Sequence, residues 1–156
     1  MSKTSSTLRH VATGAIAMTA LAATLMLVSV GATAQEPDDS IYRAFGEKPG
    51  ITALVDDLMV RLLADQRMNP FFKDIDQPDF KTKLVAQLCD VTGGPCKTVN
   101  TDMKKTHSGY DINANNFNAL VEVLEQSMDA RGISFGDQTK LLAKLAPMHR
   151  DIINVR

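Results

Sequence analysis

The strongest constraint on how this chain folds is a run of apolar residues between Ile51 and Leu63. They recur in steps of three and one, which is the spacing of side chains on one face of an α-helix. The members are Ile51, Leu54, Val55, Leu58, Met59, Leu62 and Leu63. The sequence shows no clear alternation of apolar and polar residues of the kind that is typical of strands. Because an amphipathic helix must bury its apolar face, an all-α fold with helix packed on helix is predicted.

Capping residues and helix breakers divide the rest of the sequence into about five main helices with short connections. The predicted capping residues are Ser40, Asn100 or Thr101, Asn113 and Ser134. Asp76-Gln77-Pro78 is predicted to start a helix with proline in its first turn. The predicted stops are Gly46, Asn69-Pro70, Thr92-Gly93-Gly94-Pro95, Gly109 and Gly132. Pro49-Gly50 predicts a turn. Pro147 falls inside the last helix, which is predicted to reach Ile152, and should kink or interrupt it because proline lacks an N–H.

The first 34 residues differ in kind from the rest. Lys3 and Arg9 form a basic start, the stretch from Val11 onward carries no charge, and it ends with Ala32-Thr33-Ala34. This order of features is typical of a secretory signal peptide. The alternative is an uncleaved transmembrane anchor, because the apolar run is long enough to span a bilayer.

The sequence therefore predicts a signal peptide over 1–34, a loose linker over 35–39 and one domain over 40–156. The whole chain has a formal net charge of −1, and loss of the signal peptide changes this to about −3, since its two charged residues are basic. A mildly acidic domain without a basic stripe argues against nucleic acid as a partner. We expect a periplasmic or secreted protein that contacts the membrane only if the N-terminal segment is retained.

Two cysteines, Cys89 and Cys96, lie seven residues apart in the predicted domain. An exported protein meets an oxidising compartment, so a disulfide between them is expected. The alternative is a reactive or redox-switching pair, although nothing around either residue guarantees a lowered thiol pKa. Zinc is poorly supported, because His107 and His149 are distant from both cysteines in the sequence.

His107 ends a short amphipathic turn and is followed closely by Gly109. We interpret it as a metal ligand, and a haem iron suits it best. Taken alone, a histidine in this position is more often a helix cap or a surface residue. A haem needs one imidazole and a wide apolar slot with few polar atoms. The chain offers Phe71, Phe72, Phe80, Leu84, Met103 and Phe117 for that slot. No Cys-x-x-Cys-His motif occurs, so covalent haem attachment is excluded.

Five short fragments, taken together, resemble a known family. They are Ile41-Tyr42-Arg43-Ala44-Phe45-Gly46, Arg61-Leu62-Leu63-Ala64-Asp65, Asn69-Pro70-Phe71-Phe72, Gly93-Gly94-Pro95 and Met103-x-x-x-His107-x-Gly109. In order and spacing these resemble the truncated haemoglobins of group one, without a gap from Tyr42 to about Ile153. The resemblance implies a two-over-two helical globin fold that binds haem b, iron protoporphyrin IX.

The resemblance also implies roles for single residues. His107 is similar to the proximal ligand of the haem iron, and Phe72 to the aromatic that packs on the haem. Met103 and Phe117 correspond to walls on the proximal side. Lys83 occupies a position that in relatives either meets a haem propionate or, as a histidine, binds the iron.

The distal side departs from the family pattern. Met59 stands where relatives usually carry a tyrosine that faces the bound gas, and Phe80 and Leu84 fill the next two distal positions. All three are apolar, so a donor to bound O₂ is missing at these positions unless Gln87, one turn further on, enters the pocket. Glu47 replaces the second glycine that the family carries after its first helix.

The resemblance implies a globin that reversibly binds O₂, CO or NO, served by an unidentified reductase. Nitric oxide dioxygenation or a peroxidase-like side activity fits less well with an apolar distal pocket. Two alternatives remain open. One is a six-coordinate haem protein for electron transfer or redox sensing, with Lys83 or Met59 as the second axial ligand. The other is a helical interaction module without haem.

Overall fold

The computed structural model describes residues 38–98 and 102–155 and contains four long helices that pack on one another. The helices are α1 (Ser40–Ala44), α2 (Glu47–Ala64), α3 (Asn69–Phe72), α4 (Gln77–Val91), α5 (Met103–Thr106), α6 (Ala114–Ala130), α7 (Phe135–Leu145) and α8 (His149–Ile152), with a 3₁₀ turn at Ala146–Met148. The four long helices are α2, α4, α6 and α7. Helix α2 packs on α4 and on α6, and α7 packs on the same two helices. Within the described residues every regular element is helical, which confirms the predicted all-α class.

Helix α2 supplies the centre of the core, as its periodicity predicts. Ile51, Leu54, Val55, Leu58 and Leu62 are all buried in one apolar cluster with residues of α1, α4, α6 and α7. Full burial of a side chain of this size contributes roughly 1.5–3 kcal/mol each. The apolar stripe on α2 therefore determines which face of the helix points inward, and it holds α2 against α4 and α6.

The start of α2 differs from the expectation of a turn at Pro49-Gly50. The helix begins at Glu47 and takes both residues into its first turn, where proline is tolerated because its missing N–H has no partner there. Gly50 is required, since a Cβ at this position would lie 2.0 Å from the carbonyl oxygen of Phe45. Gly46 and Glu47 both have positive φ, at 75° and 58°. A glutamate is strained in this region, whereas glycine adopts it readily.

Two predicted helix caps, at Asn113 and Ser134, and the predicted helix start at Asp76 are confirmed. Asp76 accepts from the backbone N–H of Asp79, and Ser134 accepts from that of Asp137. Asn113 forms a reciprocal capping box at the start of α6. Each such cap typically stabilises its helix by about 1 kcal/mol.

Other predicted boundaries are wrong. Ser40 lies inside α1 and donates its backbone N–H to the Asp38 carboxylate. The cap of α5 is Asp102, whose side chain accepts from the Lys105 N–H. An aspartate next to the helix serves better than the more distant Asn100 or Thr101, because its negative charge also favours a helix N-terminus. Asn100 and Thr101 themselves lie outside the described residues.

One helix end also falls short of its predicted stop, and one predicted break is confirmed. Helix α2 ends at Ala64 rather than at Asn69-Pro70, because Asp65 turns to an extended conformation. The side chain of Asn69 then donates to the Leu63 carbonyl and covers that end of the helix. The break predicted at Pro147 is confirmed, since α7 ends at Leu145 and a 3₁₀ turn follows.

The predicted signal peptide over 1–34 and most of the predicted linker lie outside the described residues. Among those described, no helix is both long and apolar enough to cross a membrane.

The loop after α4 lies against the start of α1. Tyr42 donates its backbone N–H to the carbonyl oxygen of Thr92 at 3.2 Å. A Cβ on Gly93 would lie 2.3 Å from the Asp38 carbonyl oxygen, and one on Gly94 would lie 2.6 Å from the Tyr42 ring. The glycine pair is therefore needed for the close approach of the two segments as well as for ending α4.

A disulfide closes this loop. Cys89, fully buried in α4, is bonded to Cys96, and their Cα atoms are 5.7 Å apart. Beyond it, Thr98 donates both its N–H and its hydroxyl to Asp90. These bonds lower the pKa of the Asp90 carboxyl. The loop is thus fastened back onto the end of α4 before the chain continues towards α5.

Replacing both cysteines with alanine should lower the free energy of unfolding by about 2 kcal/mol. The bond closes a short loop, and opening it restores chain entropy to the unfolded state. Urea denaturation of the oxidised wild type and of the Cys89→Ala/Cys96→Ala variant measures the difference. Wild-type protein in a reductant is the control and should lose a similar amount. Equal midpoints for the variant and the oxidised wild type would contradict the prediction.

Candidate functional site

His107 is oriented by the turn that carries it. Helix α5 is only four residues long, and His107 follows it directly as its C-cap. The Met103 carbonyl oxygen accepts the backbone N–H of His107 at 3.0 Å and lies 2.8 Å from the ring Nδ1. A carbonyl oxygen carries no hydrogen, so Nδ1 must be the donor in this bond. The neutral ring then has its free lone pair on Nε2, which is the state of a metal-binding imidazole.

An aromatic residue of α3 contacts one of α4 beside the apolar core. The rings of Phe72 and Phe80 form an edge-to-face pair with centroids 5.3 Å apart. Both are only half-buried, as is Phe71. Phe71 and Phe72 also pack against the apolar cluster. The predicted slot residues on this side therefore present apolar surface that the protein does not fully cover, as expected for the wall of a ligand pocket.

Met59 and Leu84 lie on the two helices that pack against each other, α2 and α4. Met59 is only 4% exposed, and its neighbour in the sequence, Leu58, belongs to the apolar cluster. Leu84 is half-buried and packs against the edge of that cluster. Neither side chain brings a hydrogen-bond donor, so the chemistry at these two positions is apolar, as the sequence predicts.

Phe117 in α6 contacts the ring of His149 in α8. Their centroids are 4.7 Å apart and their planes nearly perpendicular. Met103 is half-buried in α5, and α5 packs against α8. The predicted proximal residues are thus connected through the C-terminal helix that follows Pro147.

Gln87 and Lys83 each bond a different partner. The Gln87 amide donates to the sulfur of Met148 at 3.2 Å, which draws it to the 3₁₀ turn after α7. Lys83 forms an ion pair with Asp79, at 2.6 Å between Nζ and Oδ2, and its side chain is 75% exposed. The direction of Gln87 was open from the sequence, and the structure directs its amide to Met148.

A linked set of ion pairs is centred on Arg67 at the surface. Arg67 bonds Asp65 and Glu122 and so connects the turn after α2 to α6. The Arg67 side chain lowers the pKa of Asp65 to about 2. Exposed pairs of this kind contribute little to stability, and they give no reactive group.

Among residues 38–98 and 102–155, no three His, Cys, Asp or Glu side chains are grouped so as to hold a metal ion. A haem iron asks less of the protein, because the porphyrin supplies the in-plane nitrogens and a single imidazole completes the attachment. His107, with Nδ1 bonded and Nε2 free, is the kind of residue this requires.

Three residues near this region were not predicted from the sequence. Met148 and His149 contact predicted site residues, and Asn154 donates to the backbone carbonyl of His107. The nearest sequence signal is Pro147, which marks where the chain changes direction before all three.

Comparison with solved structures defines the class of fold. The Fe(III) crystal structure of truncated haemoglobin from Tetrahymena pyriformis aligns with a TM-score of 0.70 and 23% identity, covering 73% of this chain and 97% of that one. The group II truncated haemoglobin from Bacillus anthracis aligns with a TM-score of 0.65 over 74% of this chain and 91% of its own. The four long helices therefore form the two-over-two fold of the truncated globins.

Sequence comparison identifies the family. Residues 40–154 match the family described as bacterial-like globin. The group 1 truncated haemoglobins of Nostoc commune and of another Nostoc strain are each 30% identical over 115 residues, which is 74% of this chain and 98% of each relative. This chain belongs to the bacterial-like globin family, and membership implies a haem cofactor and haem-based ligand binding.

Proposed function

We propose that this protein is an exported globin that holds a b-type haem through His107 and reversibly binds O₂, CO or NO. The observation that carries the proposal is the bond between His107 Nδ1 and the Met103 carbonyl oxygen. It fixes the tautomer and the direction of the ring, and it leaves Nε2 free to bind iron. When bound, the haem supplies the iron at which a diatomic ligand attaches.

The residues assigned to the haem site suit a porphyrin by their chemistry. Phe72 and Phe80 offer an edge-to-face pair of half-buried rings, and Phe117 and Met103 offer apolar surface on the side of His107. These surfaces would exclude water from the haem faces. Lys83, exposed at the end of a long side chain, suits a propionate carboxylate once it exchanges its partner Asp79.

The distal side is where this chain differs from relatives. The solved variants of the Tetrahymena protein replace a tyrosine, a glutamine and a second glutamine. The spacing between those three positions equals that between Met59, Phe80 and Leu84. This supports the assignment of the three apolar residues to distal positions. Bound O₂ would then have no donor from these side chains, and we propose faster O₂ release than in relatives that carry one.

A titration with haem tests the function. We expect one haem per chain, a Soret band, and shifts of that band on reduction and on addition of CO. A chain that takes up no haem would instead support the helical interaction module. The ferrous spectrum without added ligand tests the six-coordinate alternative. Met59 is the better candidate for a second axial ligand, because it is buried whereas Lys83 is exposed and paired with Asp79.

We also propose export, with cleavage after Ala34. The proposal is supported by the basic start, the uncharged apolar run and the Ala32-Thr33-Ala34 end of the segment. A disulfide suits the oxidising compartment that this implies. The mass of the chain recovered from the periplasm or the medium checks the cleavage site.

A further inference from the structure

The chain after Pro147 returns to the turn that carries His107. The 3₁₀ turn at Ala146–Met148 redirects the chain, and α8 then packs against α5. Ile153 leaves the helix in an extended conformation, with ψ at 120°. This brings Asn154 beside the loop that connects His107 to α6.

Asn154 bonds both ends of that loop. Its side-chain Nδ2 donates to the carbonyl oxygen of His107 at 2.7 Å. Its Oδ1 accepts the backbone N–H of Ile112, also at 2.7 Å. The backbone N–H of Asn154 and that of Val155 donate to the Ile112 carbonyl oxygen, at 3.0 Å and 3.2 Å. One side chain thereby closes the loop formed by residues 108–111.

The loop needs such a closure, because its own conformation is unusual. Gly109 and Asp111 both have positive φ, at 85° and 51°. A Cβ at Gly109 would meet nothing within 4 Å, and the side chains of residues 108–111 are exposed. The positive φ at Asp111 carries a strain cost that surrounding contacts must offset.

His107 is consequently fixed on both sides. Its N–H and its ring Nδ1 bond the Met103 carbonyl oxygen on the helix side. Its own carbonyl oxygen is held by Asn154 on the loop side. With both flanking peptide units fixed, only the side-chain torsions remain, and the bond from Nδ1 fixes these.

We propose that Asn154 is a positioning residue for His107, acting through the His107 carbonyl to hold the imidazole at the angle that iron requires. The inference rests on the proposed function, because ring orientation matters here only if His107 binds haem iron. Groups that orient a metal ligand typically change metal affinity strongly when removed. The bond is exposed to water, so the effect of Asn154 should lie at the modest end of that range.

Two substitutions at Asn154 distinguish its bond to His107 from its bond to Ile112. Asn154→Ala removes both. Asn154→Asp keeps an oxygen for the Ile112 N–H but places a second oxygen against the His107 carbonyl oxygen, where the two repel. Asn118→Ala is the control, because Asn118 is an exposed asparagine on α6.

Three measurements read the result. They are the rate of haem loss to an apoprotein scavenger, the iron–histidine stretching band in the resonance Raman spectrum, and amide hydrogen exchange at Ile112 in the haem-free protein. We expect haem loss about threefold to tenfold faster in Asn154→Ala and at least as fast in Asn154→Asp. Both variants should shift the stretching band, whereas exchange at Ile112 should rise only in Asn154→Ala. Asn118→Ala should match the wild type.

A merely structural role gives the opposite order. If Asn154 served only to hold Ile112, Asn154→Asp would keep haem as well as the wild type, and haem loss would follow the exchange rate at Ile112. That result, or an unshifted stretching band in both variants, overturns the inference while leaving the proposed function in place. A wild-type chain that takes up no haem overturns both, and it is recognised before any variant is made.

Discussion

Replacing His107 with glycine should abolish stable haem binding. The imidazole is the attachment of the iron in the proposed site, and loss of groups that merely orient a ligand already lowers metal affinity about 10- to 100-fold. Loss of the ligand itself should exceed that, so the variant should show haem affinity reduced by more than about a hundredfold and no wild-type Soret band. The fold should remain, because the half-buried side chain follows a four-residue helix whose Asp102 cap is untouched.

Added imidazole should restore the spectrum of His107→Gly, since it can occupy the space left by the ring and bind the iron from the same side. His149→Gly is the matched control, because it removes the other histidine of the described residues and its contact with Phe117. This variant should keep the wild-type band. If His107→Gly kept the wild-type spectrum, or if His149→Gly lost it and regained it with added imidazole, the assignment of the iron ligand would be wrong.

The parts of the fold that the sequence predicts well are those determined by residues close together in the chain. The apolar stripe of α2 and the caps at Asp76, Asn113 and Ser134 depend on neighbours within one helical turn or on a repeated spacing. Local patterns fail where two signals compete. At α5, for example, Asp102 caps the helix instead of the nearby Asn100 or Thr101, and both choices satisfy the same local rule.

The supporting contacts around His107 could not be predicted in this way. Asn154 reaches His107 across 47 positions of sequence, and Gln87 reaches Met148 across 61. No periodicity or capping rule extends so far. What the sequence does contain is Pro147, whose break in the last helix is confirmed, but its consequence for the histidine appears only when α8 packs against α5.

The structure adds different information about the two faces of the proposed haem. The family resemblance names both His107 and the three distal residues, but the structure adds hydrogen-bond geometry only at His107. For the distal residues it adds burial: Met59 is almost fully buried, whereas Phe80 and Leu84 are half-buried. Their role therefore depends on what a polar substitute at the same position would do.

Introducing a donor at Met59 should slow O₂ release. Bound O₂ draws electron density from the iron, and a hydrogen bond to such a charged partner contributes roughly 1.5–3 kcal/mol. This corresponds to an off-rate lower by about tenfold to a hundredfold. Met59 is buried, so a larger ring costs packing energy of about 1–3 kcal/mol. Met59→Phe carries the same cost as Met59→Tyr but lacks the hydroxyl, so the ratio of their O₂ off-rates isolates the hydrogen bond.

Leu84→Gln should act in the same direction, with Leu84→Met as its apolar control of similar size. The half-buried position tolerates a longer polar side chain better than Met59 does. Stopped-flow measurement of O₂ displacement by CO gives the off-rates of all four variants. Equal off-rates within both pairs would place these residues away from the bound gas. A difference at Met59 alone would keep α2 on the distal side and move the α4 contact to another residue, for which Phe80 is the neighbour to test.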